Sequence, residues 1–308
     1  MKLISPAARR TKRMWQAALA PVALLLASPA SALAVEVNED FKPQNEFRLD
    51  PWIEINILGV DMSINKGVFL VLLACVLTIV TLTMVSKRMK VKGAGRMQTA
   101  IEAAYQLTHD TITAGNVKDE KLARRWFPFF ATIFFFIWFS NMLGFIPMPT
   151  NTEHTVDIFG IAMPSFALYA ATANISVPLA IALVVWLSYH YEGIMAKGFF
   201  GYLKSWVPAG VGGPLLILVV PVEVLSQFVR LISLSVRLFA NMLAGHMLIL
   251  IMGGGMAVLL GTWIVGVGTM PIAVGFFLFE VGLVASLQAF IFATLSAMYM
   301  GGAVAADH

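Results

Sequence analysis

Apolar stretches of about 20 residues, the length that crosses a hydrocarbon core of about 30 Å, occur at 67–85, 127–148 and 167–188. From Pro214 to Met300 the chain is apolar almost throughout. Gly253, Gly254 and Gly255 are its clearest interruption and predict a turn between arms of about 37 and 45 residues. At 1.5 Å per residue the shorter arm would be about 55 Å long, so both arms must tilt steeply or break. Pro221, Gly261, Gly266 and Pro271 are points where they can relax. Between Ala94 and Arg125, Met97, Ile101, Ala104, Leu107 and Ile112 recur at near-helical spacing. That pattern predicts an amphipathic helix, lying on a membrane surface or serving as an ordinary loop helix. The expected fold is an all-α integral membrane protein with about five embedded helices, the last two forming a long, tilted hairpin.

Composition agrees, since 59% hydrophobic and 12% charged residues exceed what a soluble domain of 308 residues can bury. The net charge of +4 comes from Lys2, Arg9, Arg10, Lys12 and Arg13, and so indicates no nucleic-acid surface. Followed by the apolar run AALAPVALLLA and the small-residue site Ala32-Leu33-Ala34, that cluster reads as a signal peptide over 1–34. A retained anchor is the alternative, and either puts the segment 35–66 outside the cytoplasm. Lys87, Arg88, Lys90, Lys92 and Arg96 follow the first span, whereas 149–164 holds Glu153 and Asp157 and no Lys or Arg. The positive-inside rule places 86–125 in the cytoplasm. Five crossings of the membrane domain, 67–301, return the tail 302–308 there.

Ionisable residues in the last two arms are few: Glu223, Arg230, Arg237, His246 and Glu280. Each is expensive in lipid and demands a partner, water or a function. Glu223, Ser226, Arg230, Ser233, Arg237 and Asn241 follow one another at steps of three or four, which forms one narrow polar stripe on a helix. Glu223 and Arg230 could pair two turns apart, with serines completing a buried network. Arg237 has no carboxylate within four residues, so its anion must come from the second arm, a ligand or another subunit. His246 lies about 180° from Arg237 on an ideal helix. An imidazole there and the carboxylate of Glu280 on the second arm suit a proton relay, to which Gln288 adds a neutral hydrogen-bonding group. Glu223 is about 21 Å from Arg237 along the axis toward the cytoplasm, and His246 about 13 Å the other way.

Other classes fit less well. His109, His154, His190, His246 and His308 lack metalloenzyme spacing, and no phosphate-binding glycine loop is present, so no catalytic site, cofactor or nucleotide is expected on this chain. A self-contained secondary transporter or channel would explain intramembrane charge, but the repeated halves usual in transporters are missing.

SLSVRLFANMLAGH, followed about 40 residues later by SLQAFIFATLSAMYM and preceded by SNMLGFIPMP, resembles the a-subunit family of F-type ATP synthases. The resemblance covers about 67–301 and implies a stator against a ring of c subunits, with two proton half-channels in a bacterial inner membrane. It further implies peripheral-stalk b subunits and the rest of the synthase as partners. By resemblance Arg237 is the essential arginine, Asn241 and Gln288 its polar neighbours, and Glu223 and Ser226 line the cytoplasmic path, alongside Arg230. His246 and Glu280 correspond to the outer-side pair. In that family's pattern the acid stands seven residues before the glutamine, whereas here the interval is eight. Only a helix irregularity would bring Glu280 onto the expected face.

Overall fold

A computed structural model describes residues 47–57, 60–88, 96–158, 161–207 and 215–305. The signal-peptide reading lies outside the described residues, as does the end of the tail. Two short antiparallel ladders come first, β1 (Pro51–Ile53) with β4 (Ile64–Asn65), and β2 (Asn56–Ile57) with β3 (Val60–Asp61). Among the described residues, five helices are long and apolar enough to cross a membrane. They comprise α1 (Lys66–Arg88), α3 (Glu120–Leu143), α4 (Ser176–Lys197), and the runs beginning with α6 (Leu216–Leu250) and α8 (Trp263–Phe279). The last run continues through a π-helical turn, Glu280–Val284, into α9 (Ala285–Val304). The membrane domain is all-α. An antiparallel pair, β5 (Met148–Ile158) with β6 (Ile161–Ala167), joins α3 to α4 outside the helices.

The third span begins later than hydropathy alone predicts. Residues up to Ala173 belong to β6 and a 3-10 turn, Ala171–Ala173. Asn174 Oδ1 accepts from Ser176 N at 3.0 Å, and Pro178 in the first turn needs no hydrogen-bond partner there. The helix therefore starts at Ser176 and runs on through Tyr189, His190 and Glu192, polar residues that lower the hydropathy of its last turns.

The predicted amphipathic helix is divided. α2 (Arg96–Gln106) passes into eight residues of π-helix, Leu107–Ala114. With five residues between bonded partners, Thr113 Oγ1 donates to Thr108 O at 2.8 Å. Thr108, Ile112 and Thr113 are buried, while Leu107 is exposed, contrary to its apolar spacing. Asp119 caps the following α3, its Oδ1 accepting from Lys121 N at 2.9 Å.

The main core lies where α9 packs on α3 and α4. Ala289, Ala293 and Ala297 let α9 approach closely, and Phe130, Phe134 and Ile137 of α3 fill the space beside them. α6 joins this core through Leu234, Leu238 and Met242. Residues 250–274 form a separate unit, in which the helix passes a kink at Gly254 (φ 167°), continues as α7 (Met256–Leu260) and reaches Gly261 at φ 63°. The three glycines are thus a kink within a helical run, not the turn expected from them. Gly253 faces Ala273 there, and Gly245 faces Glu280 in the main unit. Both pairs are centred near residue 262, where the positive φ of Gly261 allows the chain to reverse. α6 alone, 35 residues, is about 52 Å long and so lies steeply tilted in a core of about 30 Å.

Candidate functional site

α6 has two contrasting faces. Gln227, Leu234, Leu238, Met242, Gly245, His246 and Ile249 are buried at steps of mainly three, four and seven, which directs one side of the helix into the bundle. The predicted polar stripe lies on the other side: Ser233 and Arg237 are exposed, and Glu223, Ser226, Arg230 and Asn241 are half-buried. Val229, Ile232 and Val236 extend the same surface with exposed apolar groups. Among the described residues no carboxylate pairs with Arg237. The possible Glu223–Arg230 pair is not formed either. Arg230 instead lies over the ring of Tyr299 on α9, 5.4 Å from its centroid, where the guanidinium meets the negative π face.

Toward the β5–β6 end, His246 is buried and held at both ring nitrogens. Nδ1 lies 2.9 Å from Met242 O, one turn back, and Nε2 lies 2.9 Å from Gly144 O at the end of α3. Phe145 stacks on the ring at 4.7 Å. A neutral imidazole donates through one nitrogen at a time, so proton uptake would add a hydrogen bond without moving the ring. Glu280 reaches the same place from the second arm. A Cβ on Gly245 would meet its carboxyl carbon at 2.5 Å and both oxygens at 2.7 Å, so the carboxylate rests directly on the residue before His246.

The turn of π-helix at Glu280–Val284 accounts for the unusual spacing to Gln288. Eight regular helical residues would rotate Glu280 about 80° from Gln288. A π turn absorbs one residue, leaving seven and an offset of about 20°. Gln288 is buried in α9 beside this turn. The chain reverses near 262 and not at the three glycines, and Gly245 and Glu280 lie level on the two arms.

At the other end, a cavity of about 170 Å³ is lined by Glu223, Gln227 and Arg230 of α6, Tyr189 and Lys197 of α4, and Tyr299 of α9, among others. Tyr189 donates to Gln227 Oε1 at 3.2 Å, and Trp186 Nε1 donates to Gln227 O at 3.1 Å. These bonds fix the rotation of α6 against α4. Gln227 is one of several residues that the sequence did not single out. Others are Asn141, whose Nδ2 donates to Ala285 O at 3.2 Å and whose Oδ1 accepts from Thr172 at 2.8 Å, and Gly144, which serves His246 through its backbone. Both belong to SNMLGFIPMP, whose polar residue amid apolar ones was the available signal. Gln227 interrupts the apolar face of α6 in the same way.

Five apolar helices with ionisable groups inside their spans, among them an arginine that pairs with no carboxylate among the described residues, define an integral membrane protein with intramembrane charge. Comparison with known proteins makes this specific. Residues 68–301 match the family model described as ATP synthase A chain. The chain is similar to ATP synthase subunit a of Maricaulis maris, 35% identical over 277 residues that cover 87% of this chain and 99% of that one. The Myxococcus xanthus subunit a is 36% identical over 253 residues, covering 81% and 75%, and the Parvibaculum lavamentivorans subunit a is 34% identical over 271, covering 86% and 94%. The chain belongs to the ATP synthase A chain family.

Proposed function

We propose that this chain is the stator of a rotary ATP synthase and forms two offset proton half-channels against a ring of c subunits in a bacterial inner membrane. The observation that carries the reading is Arg237, exposed on an apolar outward face with no carboxylate partner among the described residues. A carboxylate on each ring subunit supplies the missing anion as it passes. Arginine suits the position because it stays protonated, attracting the carboxylate without itself carrying the proton. Its fixed charge also repels a hydrated proton moving directly between the channels.

The basic residues after α1 support a cytoplasmic location for that end, which makes the cavity around Glu223 and Arg230 the cytoplasmic entrance. His246 and Glu280 then serve the outer path, Asn241 and Gln288 stand beside Arg237, and Ser226 lines the cytoplasmic path with Glu223 and Arg230. Peripheral-stalk b subunits hold the chain against rotation. The N-terminal cluster acts as a signal that exports the segment before α1. In proteoliposomes of the complete complex, Arg237→Ala should abolish ATP-driven proton pumping. Pumping at the unaltered rate by a fully assembled variant would overturn the assignment.

A further inference from the structure

His190 on α4 takes no part in the path described so far, yet it stands behind the cytoplasmic cavity. Its Nδ1 lies 2.8 Å from Trp186 O, the carbonyl one turn back, which assigns the ring proton to Nδ1 and leaves Nε2 as an acceptor. Nε2 is buried and has no hydrogen-bond partner among the described residues. The ring is enclosed by Trp186 at 4.0 Å, Tyr189 at 4.4 Å, Tyr202 at 5.7 Å and Trp206 at 5.8 Å between centroids. Trp206 also carries an unused group: its Nε1 is buried and completes no hydrogen bond, with the Tyr202 hydroxyl beside it.

A buried donor and a buried acceptor without partners, on rings that meet edge to face, call for a bridging water. A water between the two rings would accept from Trp206 Nε1–H and donate to His190 Nε2. Tyr189, Tyr202 and Trp206 also line the cavity that holds Glu223, so the cage opens onto space large enough for several waters. The charged groups around the imidazole are Arg230 on α6 and, across the cavity, Glu223 and Lys197; its titratable neighbours are Tyr189 and Tyr202.

Building on the stator reading, we propose that His190 is a proton-carrying group of the cytoplasmic path, which exchanges protons with Glu223 through the cavity water. During ATP-driven pumping, Nε2 takes a proton from cytoplasmic water and passes it to the cavity water. That water protonates the Glu223 carboxylate, which delivers the proton to the ring. Each group returns to its starting state, and no net charge accumulates.

The test measures ATP-driven acidification of proteoliposomes containing the complete complex between about pH 6 and 9, a range that spans imidazole titration. His190→Gln, which keeps a hydrogen bond to Trp186 O but cannot titrate, should slow pumping at least about threefold above pH 7, where free protons are scarce, and less below it. In His190→Ala, added 4-methylimidazole should restore pumping, a response that a purely structural role would not give. If His190→Gln does not assemble, Trp206→Phe keeps an aromatic ring in the cage and removes the donor. The same pH-selective loss would support the inference, and unaltered pumping would overturn it. His190→Gln pumping normally at every pH, without imidazole response in His190→Ala, overturns this inference alone if Arg237→Ala is inactive in the same preparation. A fully active Arg237→Ala would overturn the stator reading and this inference together.

Discussion

The two ends of α6 handle buried polarity in opposite ways. At the β5–β6 end, His246 is bonded at both nitrogens to backbone carbonyls, and Glu280 rests on Gly245. Neither Gly144 nor Gly245 can gain a Cβ there without displacing a neighbour. At the other end, Arg230, Glu223 and Gln227 border a cavity of about 170 Å³ walled by tyrosines, and nearby buried nitrogens lack protein partners. The first arrangement fixes direction through rigid contacts; the second leaves geometry to water. A proton path can use both, but mutations should separate them sharply.

The largest effect is expected at Gly144. A Cβ there would meet Ala170 Cβ at 2.4 Å and its Cα at 2.7 Å, as well as His246 Nε2 at 3.0 Å. Backbone must move to relieve this, at a cost of about 1–3 kcal/mol typical of overpacked cores. Gly144→Ala should lower both the thermal stability of the complex and its pumping. Normal melting behaviour would show that this end is less rigid than described.

Gly245→Ala should be more selective. The three atoms nearest the added methyl all belong to the Glu280 carboxyl group, the movable tip of a side chain, so the complex should assemble normally. Pumping should nevertheless fall by about tenfold, because relays depend on hydrogen-bond reach. Equal losses of assembly and pumping would instead mark Gly245 as a packing residue without influence on the relay.

Much of this contrast was legible in the sequence. The stripe from Glu223 to Asn241 repeats with the helical period, and α6 is helical throughout it, with Ser233 and Arg237 exposed. Arg237 stood out because no local partner could neutralise it. The eight-residue interval before Gln288 was also visible, and the π turn at Glu280 is its physical counterpart. Other features left weaker traces. Gly144 bonds His246 through a backbone carbonyl, an atom every residue possesses, across 102 positions. The reversal near Gly261 was hidden because three adjacent glycines advertise a turn more strongly than one, although only Gly261 takes a positive φ there. The start of α4 was misplaced for a related reason. Apolar residues in β6 resemble the beginning of a span until their strand pairing is known.

The smallest expected effect comes from Tyr299, and it tests the tolerant end. Its ring lies under Arg230 and borders the cavity, 5.9 Å from Tyr189. Tyr299→Leu removes the π face but retains apolar volume, and at a site open to water such a contact contributes about 0.5–1 kcal/mol. Arg230 can then be hydrated within the cavity, and the Gln227 bonds to Tyr189 and Trp186 still set the rotation of α6. Pumping should therefore fall less than about threefold, the factor corresponding to the lower part of that energy range. Cysteines introduced at Ser233 should crosslink to the ring carboxylate region as efficiently in this variant as in its parent. If Tyr299→Leu were as damaging as Gly245→Ala, or shifted that crosslink to a neighbouring position, the cavity end would also depend on rigid contacts, and the distinction between the two ends would collapse.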